Sequence, residues 1–265
     1  MLNLIRADWY KLRKSKAFIL SSLLSFISAL GMNLISYWIG QGQMPAELGS
    51  LTFSLSDLFI LTLLGSFLAG SFICGDFEHR TIQDAISRGH SRFKVMLSKA
   101  IVYFIATAVL LLPYIVITSI AFSTGEKFST PYAASVFLQI LDNKSGIPFD
   151  AESLLKLIAV MLTLLTVYAA RLSICILSSF VLKKSSLVVG IGFGGTMLLD
   201  QSLGLGNNLP SVAKLFSYTP FASGYTVVTL DASAGELFKA TAVSLAFIAL
   251  MLAVSYSAFR KSEMK

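Results

Sequence analysis

Between Ala17 and Ile39 the chain runs 23 residues without a charged side chain. A bilayer hydrocarbon core is about 30 Å thick and needs about 20 apolar helical residues to cross it. Runs of similar character recur at about Leu55–Gly75, Ala100–Phe122, Leu157–Leu182, Leu187–Leu205 and Glu236–Phe259. That periodic return to the apolar state is the strongest constraint on what the chain can fold into. Its composition agrees: 55% of the 265 residues are hydrophobic and 13% are charged, about half the charged fraction of a soluble domain. No polar gap exceeds about 35 residues, short of the roughly 50 that a folded domain needs. The expectation is an all-α integral membrane protein of six transmembrane helices, forming one transmembrane domain over residues 1–265.

The fifth run is the weakest, because Asp200 and Gln201 cut its apolar stretch. Pro113 falls inside the third, where neighbouring helices can cover the carbonyl it frees. Ahead of the first run, residues 1–16 place Leu2, Ile5, Trp9 and Leu12 at helical spacing, with Arg6, Lys11, Arg13, Lys14 and Lys16 mostly elsewhere on the wheel. This is the pattern of a helix lying in the membrane interface, with Trp9, Tyr10 and Lys11 as its anchors. A secretory signal is disfavoured, since 23 residues exceed the 7–15 of a signal core. The loop 206–235 carries a moderately apolar piece, Leu215 to Thr229, too interrupted to span and read as short re-entrant or surface helices on the outer side.

Orientation follows from the basic residues. The N-terminal segment holds five, the 76–99 loop five (Arg80, Arg88, Arg92, Lys94 and Lys99), the 183–186 turn two and the tail three (Arg260, Lys261 and Lys265). The opposite side holds Lys127, Lys144, Lys156, Lys214 and Lys239. Fifteen against five puts both termini and the 76–99 loop in the cytoplasm. The net charge of +7 is then a topology signal and an attraction to anionic membrane lipid, and a nucleic-acid partner is not implied.

Catalytic signatures do not emerge. The sequence has no G-x-x-x-x-G-K-[ST] phosphate loop, no H-E-x-x-H and no G-x-S-x-G. Its two histidines, His79 and His90, share one loop in a spacing that does not suit a metal. Cys74 and Cys175 lie in apolar runs and read as packing thiols. Gly190, Gly192 and Gly195 match G-x-G-x-x-G only by coincidence, because a nucleotide site needs a preceding strand. Gly190 and Gly194 read better as a small-residue face for close helix packing. Asn143-Lys144-Ser145 is a formal glycosylation acceptor of little weight.

Two features suggest function. Arg171 lies about 18 Å of helix from the 183–186 turn and Asp200 about 24 Å, so an intramembrane charge pair between them is expected; such groups are costly in a bilayer and often functional. Asp57, near the outer end of the second span, is expected to be solvated. The 76–90 loop places Ile82, Ala85 and Ile86 on one helical face, and Ser91 is a plausible N-cap for the helix that follows. A short amphipathic helix at the mouth of a bundle suits docking of another protein.

The same loop resembles that of ABC type-2 exporter permeases, in its Phe77-Glu78, Thr81, the Arg88-Gly89-His90 turn, Ser91-Arg92 and Ser98-Lys99. Asp8-Trp9-Tyr10-Lys11 through Lys16 looks like that family's interface helix, and the nearest likeness is to bacitracin-resistance and lantibiotic-immunity permeases. The resemblance implies a permease subunit in a bacterial plasma membrane, dimeric with a second copy or a homologous partner. ATP and Mg would be bound by separate ABC ATPase subunits, with no cofactor and no catalysis in this chain. Residues 76–90 would be the coupling loop, with Glu78, Arg80, Thr81, Ile82 and Ala85 as ATPase contacts. The exported substrate would be an antimicrobial peptide, a lipid or a drug. One rival is a self-sufficient secondary transporter or other polytopic protein without an ATPase partner, which would often show internal repeats; no convincing repeat is evident. A second is a membrane-embedded enzyme, which would need clustered His, Asp, Glu or Cys at one depth, and the sequence lacks such a cluster.

Overall fold

The computed structural model describes residues 1–45, 47, 49–129, 135–142, 151–205, 218–222, 228 and 230–262. Among these every regular element is helical: α1 (Leu2–Lys14), α2 (Lys16–Gly40), α3 (Gly49–Ser54), α4 (Asp57–Leu68), a π-helical segment (Ala69–Cys74), α5 (Gly75–Glu78), α6 (Thr81–Ser87), α7 (Arg92–Thr124), α8 (Val136–Asp142), α9 (Ala151–Leu182), α10 (Ser185–Leu205) and α11 (Ala234–Lys261). Residues 215–217, 223–227 and 229, where re-entrant helices were expected, and Asn143-Lys144-Ser145 lie outside the described residues.

Serines set the helix starts. Ser15 breaks α1 from α2 with an extended backbone, and its hydroxyl accepts from the Phe18 N–H at 3.2 Å. Ser56 and Ser91 cap α4 and α7 in the same way, and Ser233 opens α11 with a reciprocal capping box to Glu236. Each satisfies one of the orphan N–H groups of a first turn. Pro113 sits inside the 33 residues of α7 without ending it.

Among the described residues five stretches are long and apolar enough to cross a membrane: Lys16–Gly40, Thr52–Glu78, Arg92–Thr124, Glu152–Leu182 and Ala234–Lys261. The expected fifth run folds as α10, but its apolar part, Ser185–Asp200, is shorter than the rest. Burial distinguishes the spans. The most apolar window of α9 is 67% buried and that of α11 only 11%, so α9 is the central post and α11 a peripheral helix packed on it. The second peripheral element, α2, leans on α7 and turns Ile19, Leu20, Leu23, Phe26 and Ile27 outward. An apolar exterior of this kind belongs against lipid.

Within the chain, the glycines of α10 divide by face. Gly190 is exposed and Gly194 half-buried, and a Cβ on either meets nothing within 4 Å. The close approach is made by Gly192, whose Cβ would lie 2.9 Å from the Ser66 Oγ and 3.1 Å from the Cys175 Sγ. Successive residues turn by about 100°, so the glycine two along from Gly190 faces nearly the opposite way, into the bundle. Ser66 and Cys175 are themselves in contact at 3.4 Å, so neither can swing clear cheaply. Gly192→Ala should therefore destabilise by about 1–3 kcal/mol through overpacking, whereas Gly190→Ala should be neutral or gain up to about 1 kcal/mol of helix propensity. Unfolding midpoints of the two purified variants in detergent check this, and equal midpoints would refute it.

Candidate functional site

The end of the bundle that carries α1, α5, α6 and the α9–α10 turn holds most of the polar chemistry. The backbone reverses at Arg80, a left-handed residue at φ 57°, which separates α5 from α6. Glu78, Arg80 and Thr81 are exposed there. Ile82 is not, at 1% exposure, and Ala85 and Ile86 pack against the same core. Of the five expected docking residues, the two apolar ones thus face inward: they anchor α6, because burying them is the reason the short helix lies flat. A cavity of about 250 Å³ opens between α1, α6 and α7, lined in part by Asp8, Thr81, Arg88, His90 and Lys99.

Beneath it lies an ion network that the sequence did not announce. Lys99 bridges two carboxylates, Asp76 and, at 2.5 Å, Asp8. Asp76 also takes Lys11, and Ser98 donates to Asp8 at 2.8 Å. The side chains of Lys99 and Asp76 are 5% and 1% exposed. Two cations and two anions balance, so no buried charge is left alone. The network joins three elements distant in sequence: α1, the start of α5 and the start of α7. Trp9 ties α1 to α2 beside this joint, its ring edge-on to Phe18 at 5.9 Å. Tyr10 points outward. A hint was present in the sequence, since Asp8 is the one acid among five basic residues in the first sixteen.

Neighbouring helix ends are tied at the same level. Arg92 donates from one nitrogen to the carbonyls of Phe259, Arg260 and Ser262, at 2.8–3.1 Å, closing the end of α11. Glu78 accepts from the Ser185 N–H at 3.1 Å, at the first residue of α10.

Deeper in the bundle, Arg171 and Asp200 come together, one guanidinium nitrogen contacting both carboxylate oxygens. Arg171 is 2% exposed and Asp200 21% by side chain. The guanidinium also stacks near Phe221 and Tyr168, at 5.0 and 5.9 Å from the ring centres. Asp57 departs from expectation, being fully buried. It accepts from the Ser135 hydroxyl at 2.5 Å, from the Val136 N–H at 3.4 Å and from the Tyr168 hydroxyl. The cause is α8, which folds down over the start of α4 and sets Phe137 between Tyr114 and Tyr168.

Cys74 and Cys175 are buried free thiols. Among the described residues no three His, Cys, Asp or Glu side chains gather as a metal site would need. What the arrangement can do is mechanical: it ties helix ends together with charges whose separation is costly. A family model described as ABC-2 family transporter protein matches residues 4–198, which takes in the whole ion network, the α5–α6 segment and Arg171, and stops two residues short of Asp200. No curated protein matches the chain.

Proposed function

The chain belongs to the ABC-2 family of transporter proteins, and from that premise we propose that it is the permease of an ATP-driven exporter whose α5–α6 segment receives the stroke of separate ATPase subunits. The observation that carries this reading is the edge formed by Glu78, Arg80 and Thr81: polar, exposed, and mounted on a short helix held down by buried Ile82. A force applied there is delivered to α1 and α7 through the ion network, not lost in a loose loop.

The full reading has six spans with both termini cytoplasmic. In it α10 supplies the sixth, because its 21 residues extend about 32 Å. Its one interrupting acid, Asp200, is paired with Arg171, which removes the main penalty against insertion. The permease acts as a dimer with a second copy or a homologue in a bacterial plasma membrane, and the likeness to bacitracin-resistance and lantibiotic-immunity permeases favours an amphiphilic substrate such as an antimicrobial peptide, a lipid or a drug.

The test begins with co-purification of an ATPase with the full chain from its native membrane. In that complex Glu78→Ala combined with Arg80→Ala should lower permease-dependent ATP hydrolysis about fivefold or more, the lower range of a typical coupling energy. Absence of any bound ATPase, or an unchanged hydrolysis rate, would sink the reading.

A further inference from the structure

The hydrogen bond from Ser185 to Glu78 joins the docking segment to a helix that runs the depth of the bundle. We propose that Glu78 is a positioning residue, a latch that makes α10 move with the α5–α6 segment and so carries displacement to the Arg171–Asp200 pair; this rests on the coupling reading above.

Two observations support the latch. Ser185 is the first residue of α10, where N–H groups lack intrahelical partners and the helix dipole favours a carboxylate. The segment is also tied to α9 and α11: Cys74 donates to the Ser179 carbonyl at 3.7 Å, and Phe77 packs edge-on against Phe180 and Phe259, with the Lys183 ammonium 5.7 Å from its ring. A Cβ on Gly70 would lie 2.9 Å from the Ser185 carbonyl oxygen, so the π-helical segment touches the start of α10 backbone to backbone.

The far end of the lever is Asp200, fifteen residues on, or about 22 Å by helical rise. It is held by Arg171 of α9. A push at α10's base must therefore either strain or break that pair. The π-helical stretch Ala69–Cys74 gives the necessary compliance, since such segments are wide turns that readjust locally. It lets residues 75–78 shift with α10 while α4 stays in place. A mere cap would need none of these further contacts.

Two substitutions separate the latch from general damage. Glu78→Gln keeps an oxygen that can accept from Ser185. Ser185→Pro removes the donor at a first helical position, where proline is well tolerated, and leaves Glu78 intact. The full chain with its co-purified ATPase, in lipid nanodiscs, would carry nitroxides at Ser87→Cys and Leu24→Cys to read the loop, or at Leu198→Cys and Leu24→Cys to read the far end of α10. All three positions are exposed, whereas the native thiols are buried. Added Mg-ATP with vanadate should shift both distances with native Glu78 and Ser185, and with Glu78→Gln. With Ser185→Pro the loop shift should remain and the α10 shift should be lost. An α10 shift of unchanged size in Ser185→Pro would overturn the latch alone. Failure of the loop itself to move with Glu78 and Ser185 intact would overturn the coupling reading on which the latch rests.

Discussion

Replacing Lys99 by methionine should undock the first helix. The side chain is buried between Asp8 and Asp76, and methionine fills similar space without the charge. What remains is two carboxylates facing each other, with Lys11, half exposed, as the one cation left among the four. Removing one partner of a buried ion pair costs about 3–5 kcal/mol, a large share of a typical total stability of 5–15 kcal/mol. The loss falls on the joint between α1, α5 and α7, because all the network residues lie there. Trp9 reports it directly, being packed on Phe18, and the chain has one other tryptophan, Trp38. In a Trp38→Phe background, Lys99→Met should shift Trp9 emission to the red and lower the unfolding midpoint. Adding Asp8→Asn and Asp76→Asn removes the orphaned charges and should recover most of the loss. Emission and midpoint that do not change on Lys99→Met would show that α1 is held by its apolar face alone.

Legibility from sequence divides along a physical line. Long apolar runs can be read because lipid demands about twenty such residues wherever a helix crosses, and serine caps can be read because the cap and the N–H it satisfies lie within three residues. The Arg171–Asp200 pair, 29 positions apart, could be read because a tight turn sets the depth of both; most else that depends on distant partners could not. Lys99 looked like one more basic residue of a cytoplasmic loop, yet its burial depends on Asp8 and Asp76, 91 and 23 positions away. Asp57 looked solvated because nothing near it in sequence reveals that α8 folds over it. The glycines of α10 offered two faces, Gly190–Gly194 and Gly192, and only the neighbours Ser66 and Cys175 decide which one packs inward. Arg80 in a left-handed turn has no sequence signal either, since glycine or asparagine is the usual occupant. The α5–α6 segment could be placed within a loop, whereas the division between its anchoring side chains, Ile82 and Ala85, and its exposed ones, Glu78, Arg80 and Thr81, required the packing.

The deeper ion pair should break asymmetrically. Asp200→Asn leaves Arg171 at 2% exposure without a counter-charge, and a guanidinium keeps its charge at any pH the protein meets. Phe221 and Tyr168 offer it ring faces, worth about 2 kcal/mol when desolvated, less than the loss of a buried counter-charge. The expected loss is about 3–5 kcal/mol. Arg171→Met removes the fixed charge instead and leaves a carboxylate that is 21% exposed, within reach of water or a proton, so its cost should be smaller, about 1–3 kcal/mol. Combining Arg171→Met with Asp200→Leu abolishes both charges, and the double variant should be more stable than Asp200→Asn alone. Unfolding midpoints of the three variants in one detergent test this ordering. Losses that simply add, or an Asp200→Asn variant as stable as the parent, would mean that the two side chains do not hold each other. The ordering also bears on how α10 enters the membrane. If α10 crosses the bilayer because Arg171 neutralises Asp200, then Arg171→Met should reduce the fraction of chain in which Leu205 is reached from the outer face, and Asp200→Leu in the same chain should restore it by making the helix apolar along its length.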